Sequence, residues 1–206
     1  MSYPDVKTAE EFFEYVIKER NSSPCPFLPE WERTYREHCN KVAKNAQKIA
    51  SLTPDMNPEL CFVMGLLHDC GRIKDEKAEN RHHGWVGYQL MSSKGWNDIA
   101  RICITHNFYE KEFDINNYPI INDDVVSCQK FLSQIKYNDY DYLMQLTDVL
   151  NDMGRDCTIE YRFSSLAERY PIKQEQMAHF ANIIKTRLSY FNAKCNCDIY
   201  ELLGIK

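Results

Sequence analysis

The chain is short of the residues that punctuate β-structure. Glycine occurs 7 times and proline 8 times in 206 residues, and both cluster between periodic segments. Alternation of apolar and polar residues, the signature of a half-buried strand, is almost absent. No apolar run approaches the ~18 residues that a membrane span requires. The N-terminal stretch MSYPDVKTAEEFF has no basic segment leading into an apolar one, so no secretory signal is expected. Basic residues are not in excess: 25 Lys and Arg stand against 30 Asp and Glu, for a net charge of −5. That balance argues against the basic stripe of a nucleic-acid-binding surface. Together these absences predict a cytoplasmic, all-α protein that engages neither membrane nor nucleic acid.

Cysteine, by contrast, is plentiful, with nine residues. Without an export signal a disulfide framework is not expected. Cys39, Cys61, Cys70, Cys103 and Cys128 fall within helical patterns, where a free thiol packs as a small apolar group. The close pair Cys195-Asn-Cys197 is read as incidental. With 44% hydrophobic residues, a chain of this length builds one domain with a sizeable core, and needs no metal merely to hold the fold. The domain is expected to span 1–206, with its motif-bearing core at about 30–156 and extensions at 8–20 and 173–190.

Helical periodicity covers most of the sequence. A helix over Thr8 to Arg20 opens with a Thr8/Glu11 capping box and carries Phe12, Phe13, Val16 and Ile17. Pro24, Pro26 and Pro29 form a connector. A long helix from about Glu30 to Leu52 carries the stripe Trp31, Tyr35, His38, Val42, Ala46 and Ile49. Asn57 and Pro58 start the next, which runs to His68 with Gly71 as its stop. His83, Val86 and Leu90 share a face of a fourth helix. Asn97 caps a fifth, on which Ile99, Ile102, Cys103 and His106 share one side. A loop from Asn107 to Ile121 precedes helices near Asp123–Ile135 and Asp139–Met153, the latter bearing Asp148. The last helix runs from Lys173 to about Tyr190. The aromatic-rich helices at the two ends either close the core or form an interface between two copies, so a homodimer is one expectation.

Four of the six histidines, His38, His68, His83 and His106, thus sit on or beside apolar faces of four different helices. A single such histidine is usually a core residue bonded to a carbonyl. Four of them, with Asp69 adjoining His68 at a helix end, point instead to a metal site. Imidazole and carboxylate together suit divalent Fe, Mn, Co, Ni or Zn. A carboxylate has two oxygens, so Asp69 is able to bridge two ions: one held by His38, His68, Asp69 and Asp148, the other by Asp69, His83 and His106. His82 is an alternative to His83 as ligand, or faces substrate or solvent. Asn107, Asn151 and Asp152 are candidates for orienting the ligands. His179, near Met177 and Phe180, is read as structural.

The ordered segments resemble the HD-domain metal-dependent phosphohydrolases. His38, then His68-Asp69, then Asp148 is similar to that family's H…HD…D signature. GLLHDCGR at 65–72 resembles its LLHDxGK/R segment, and HGWVG at 83–87 resembles the HGxxG or HPxxG of binuclear members. ITHN at 104–107 resembles the next histidine segment, and LTDVLND at 146–152 the closing ADxL helix. The resemblance spans about 34–156. It implies an all-helical bundle and hydrolysis of a nucleotide or other small phosphate ester or anhydride, aided by one or two divalent transition-metal ions. A divalent ion lowers the pKa of a water it binds toward ~7, which makes a nucleophile available at neutral pH. On this reading Asp69 and Arg72 are catalytic, and Arg72, Lys74, His82 and Arg155 are candidates for substrate binding, with Arg81 a further basic residue nearby. The text after His106 lacks a second histidine with DGxGYP, and also lacks Thr-Thr-Gly. It therefore departs from one cyclic-di-GMP phosphodiesterase subtype and from the symmetrical dinucleoside tetraphosphate hydrolases. Ile73-Lys74-Asp75-Glu76 does not match the acidic pair of the guanosine tetraphosphate hydrolases. Two other readings stay open: a non-catalytic nucleotide-sensing module on the same scaffold, and a plain helical bundle whose histidines are core residues.

Overall fold

The computed structural model describes residues 2–22, 28–74, 79–115, 122–170 and 172–206. Pro24, Pro26, the Asp75-Glu76 pair and positions 116–121 of the loop expected after Asn107 lie outside the described residues. Ten α-helices make up most of the described chain. They are α1 (Val6–Asn21), α2 (Leu28–Ala50), α3 (Pro58–Leu67), α4 (His83–Ser93), α5 (Asn97–Thr105), α6 (Asp123–Ser133), α7 (Asp139–Val149), α8 (Ile159–Arg169), α9 (Gln174–Cys195) and α10 (Ile199–Leu203). A 3₁₀ turn, Cys70–Ile73, follows α3, and a two-residue antiparallel ladder joins Asn151–Asp152 to Arg155–Asp156. None of the described helices is long and apolar enough to cross a membrane.

Several boundaries differ from the sequence expectation. Helix α1 is capped by Asp5, whose Oδ1 accepts from the Thr8 amide at 2.7 Å, so Thr8 lies inside the first turn. Helix α5 begins after Trp96, with no side-chain cap, and Asn97 is its first residue. Helix α7 stops at Val149 because Asn151 to Gly154 turn back: Met153 and Gly154 have positive φ, and Asn151 Oδ1 accepts from the Gly154 amide at 2.9 Å. Helix α8 lies where no element was expected. Gly71 is not a left-handed stop; the chain carries on through it as the 3₁₀ turn.

The core is drawn from both ends of the chain. Phe12, Phe13, Val16 and Ile17 of α1 join Phe191 of α9 and Ile199 of α10 in one buried cluster with α2, α3, α5 and α7. The terminal aromatics therefore close the core. All described cysteines are free. Two near-contacts of backbone set the positions of the functional residues. A Cβ on Gly65 would lie 2.6 Å from Ala43 Cα, so glycine lets α3 press directly onto α2. Gly71 similarly lies against the carbonyl of His83, which joins the turn after α3 to the start of α4.

Candidate metal centre

His68 is the C-cap of α3, just after Leu67, and Asp69 follows it with φ −101° and ψ 14°. That break turns both side chains toward one point. Because α3 presses on α2 at Gly65, His38 on α2 reaches the same point: His38 Nε2 and His68 Nε2 are 3.2 Å apart. Asp148, on the last turn of α7, places Oδ1 3.1 Å from His38 Nε2 and 3.8 Å from His68 Nε2. On the other side, Asp69 Oδ1 is 3.2 Å from His83 Nε2 and 3.3 Å from His106 Nε2. His83 begins α4, and His106 is the C-cap just after α5. Two clusters that could hold an ion are brought together, His38, His68 and Asp69, and Asp69, His83 and His106, with Asp148 beside the first.

The far side of each ring fixes its tautomer. His38 Nδ1 lies 2.7 Å from Asn151 Oδ1, an atom identified as oxygen because it also accepts from the Gly154 amide. His68 Nδ1 lies 2.7 Å from the Gly65 carbonyl, and His106 Nδ1 lies 2.9 Å from the Ile102 carbonyl. Oxygens of this kind only accept, so each Nδ1 carries the proton and each Nε2 presents a lone pair to the centre. Two lone pairs facing each other at 3.2 Å repel unless a cation is shared between them. Asp69 Oδ1 is buried and has no hydrogen-bond partner, although two imidazoles lie close by. Buried polar atoms are seldom left so. These features fit a bound divalent ion on each side of Asp69, in a donor set of imidazole nitrogen and carboxylate oxygen.

The charges agree. Burial alone would raise the Asp69 carboxyl, but Arg72, whose Nε lies 2.6 Å from Oδ2, together with His83 and His68, outweighs it and holds the group well below the ordinary carboxylate value. Asp148 is likewise depressed: burial opposes, and the neighbouring His38 at 3.1 Å and the charge of Arg162 prevail. Burial pushes His68 down to about 4, which keeps that imidazole neutral and free to ligate.

Around the ligands lies a second ring of groups. Asn107 Nδ2 is 2.7 Å from His83 Nε2 and 2.9 Å from His106 Nε2. The segment carrying His106 is pinned from α7: Gln145 Nε2 donates to the Thr105 and Phe108 carbonyls at 2.6 and 2.8 Å, and Thr105 Oγ1 donates to Asp141 at 2.7 Å. Asp152, expected near the ligands, instead accepts from Ser165 and from Arg162 and Arg169 of α8.

The centre opens into a cleft of about 230 Å³. Arg72, His82, Asn107 and Arg162 line it beside the ligands. His82 caps α4, its Nδ1 accepting from the Gly84 amide at 3.2 Å, and its ring stacks on His83. Lys74 and Arg155 do not line the cleft: Lys74 pairs with Glu79, and Arg155 sits exposed on the short ladder. Arg81 is occupied by Asp124 at the start of α6. Arg162 was not expected, because its helix was not. The signal was present, however: Thr158 caps α8, and Ile159, Phe163 and Leu166 repeat at helical spacing. His179 is exposed and pairs with Glu110 at 2.8 Å.

An all-α fold with four imidazoles and two carboxylates gathered at one point defines a class, a helical protein built around a cluster that could hold a metal ion. The HD domain family model matches residues 35–150, more than half of the chain, and the protein belongs to that family. Comparison with curated proteins and with solved structures finds no match.

Proposed function

We propose that this protein is a metal-dependent phosphohydrolase of the cytoplasm, acting on a nucleotide or another small phosphate ester or anhydride. His38, His68, Asp69 and Asp148 would hold one divalent ion, and Asp69, His83 and His106 a second. The observation that carries this reading is the approach of His38 and His68 through unprotonated Nε2 atoms, 3.2 Å apart and within reach of two ionised carboxylates. The family is in general one of metal-dependent phosphohydrolases, which agrees. When bound, the ions supply Lewis acidity toward the phosphoryl oxygens and lower the pKa of water.

The chain's own residues do the rest. Asn151 and the carbonyls of Gly65 and Ile102 hold protons on the outer ring nitrogens, so His38, His68 and His106 stay ready to ligate. Asp69 uses one oxygen toward each group, and Arg72 keeps it ionised. Arg162, anchored by Asp152 beside Asp148, offers positive charge to a phosphoryl oxygen in the cleft. Water adds its oxygen to phosphorus, the bond from phosphorus to the leaving group breaks, and a proton passes to the departing oxygen. The chain is read as one domain across 1–206, since a single core cluster draws on residues from Ala9 to Ile199.

A panel of nucleotides and phosphomonoesters, assayed for phosphate release, tests the reading. Turnover abolished by a chelator, restored by Mn²⁺ or another transition ion, and absent in Asp69→Ala supports it. Retained turnover in Asp69→Ala would rule the site out. Tight nucleotide binding by metal-loaded protein without product would favour a sensing module.

A further inference from the structure

We infer that the substrate is a phosphomonoester whose organic part carries an aromatic or apolar group and no further charge. This rests on the phosphohydrolase reading and adds what lies beyond the phosphate. The cleft is lined by two unlike sets of residues. One is the cation pocket with Arg72 and Arg162. The other is a wall of Phe108, Phe113, Phe163, Leu166, Ile172 and Phe180. Phe108 stacks on Phe113 with ring centroids 4.9 Å apart, and Phe163 and Phe180 both set an edge against Tyr109, at 6.0 and 5.3 Å. Four of the six wall residues, Phe163, Leu166, Ile172 and Phe180, lie beyond the family-matched residues 35–150. The wall therefore lies largely outside the family-matched segment.

Charge then narrows the class. Among the described residues the cations lining the cleft are Arg72 and Arg162, each hydrogen-bonded to a carboxylate, and no lysine lines it. Asp69, Asp148, Glu110 and Asp114 line it as well. One phosphate placed at the ions and arginines is matched. The further charges of a polyphosphate would fall among carboxylates and aromatic rings. Gln176, Tyr170, Glu110 and Asp114 line the cleft too and would partner a few hydroxyls, such as those of a ribose, whereas the aromatic faces offer a polyol none. A ring in the same place buries apolar area against Phe108, Phe113 and Phe180. A nucleoside monophosphate meets this description through its base, and a triphosphate does not.

The test separates this inference from the one beneath it. Mn²⁺-loaded protein is titrated calorimetrically with two non-hydrolysable ligands, 1-naphthylmethylphosphonate and methylphosphonate. It is also assayed with 1-naphthyl phosphate, glycerol 2-phosphate and ATP. The expected result is that the naphthyl ligand binds at least about tenfold tighter, and that naphthyl phosphate has the highest kcat/KM. Phe180→Ala or Phe113→Ala should narrow the gap between the two phosphonates to about threefold or less. Equal affinities, or a higher kcat/KM for ATP or glycerol 2-phosphate, would overturn the inference. If no ester is hydrolysed while the affinity gap persists, the phosphohydrolase reading fails and the apolar subsite stands. If all three esters are hydrolysed alike and the gap is missing, the subsite fails and the phosphohydrolase reading stands.

Discussion

Replacing Gly71 by alanine should loosen both the fold and the metal centre. The added Cβ would lie 1.8 Å from the His83 carbonyl oxygen, 2.6 Å from the Gly87 nitrogen and 2.8 Å from the His83 carbonyl carbon. All three are backbone atoms, so no side chain is able to swing aside. Reaching ordinary contact, from 1.8 to 3.4 Å, moves the turn and α4 apart by about 1.6 Å. Overpacking costs about 1–3 kcal/mol, and a clash between backbones belongs at the upper end. For a chain of this size that lowers Tm by roughly 6–12 °C. The same movement draws Asp69 away from His83, whose Nε2 now lies 3.2 Å from Oδ1. Gly95→Ala is the control: φ is +74° and nothing lies within 4 Å, so only the left-handed penalty of about 1 kcal/mol applies, roughly 2–4 °C. Thermal unfolding of metal-free protein and Mn²⁺ titration of both variants provide the readouts. Wild-type Tm and metal affinity in Gly71→Ala, or greater damage in Gly95→Ala, would refute the reasoning.

The same geometry fixes three further outcomes. Asn151→Ala removes the acceptor that holds the His38 proton on Nδ1, and should weaken metal binding by about 10- to 100-fold in an ion titration; unchanged affinity would contradict that role. Arg162→Lys should raise KM for a phosphate ester by about tenfold, since a point charge replaces a fixed fork, whereas Arg155→Ala should leave it unchanged. Asp152→Asn should destabilise the protein most at neutral pH. Burial would raise the Asp152 carboxyl, but Ser165, Arg162 and Arg169 together depress it below its ordinary value of 3.8. Its stabilisation is therefore present above about pH 4 and lost as the pH falls through the lowered value. Urea unfolding of both forms from pH 7 to pH 3 should show the difference shrinking on acidification; a constant difference would refute the linkage.

Much of this was legible in the sequence because ligand chemistry and helix periodicity coincide. His38 stands on the stripe of Tyr35 and Val42, and His106 on the face of Ile99, Ile102 and Cys103, so burial of those stripes carried both imidazoles inward. Asp148 was harder, because α7 buries residues on nearly every side and spacing alone does not single out an acid. Helix α8 escaped although its cap and apolar repeat are ordinary. The turn at Asn151 to Gly154 was absorbed into an overlong α7, and the register of residues 155–170 was lost with it. Arg162 went unseen for that reason. Lys74 and Arg155 lie outside the cleft lining for another: nearness in sequence to a ligand says nothing about which side of a turn a long charged side chain takes. The cleft's aromatic wall joins three separate segments, and only the packing of α8 and α9 brings them together.

Metal analysis of the purified protein tests the central claim most directly. Mass-spectrometric quantification should find between one and two transition-metal ions per wild-type chain, and less in His68→Ala and Asp69→Ala, with chelation lowering the wild-type Tm. Wild-type protein that carries no transition ion, takes up none on Mn²⁺, Fe²⁺ or Zn²⁺ titration and melts at the same temperature with and without chelator would show that these imidazoles are packed for the core alone.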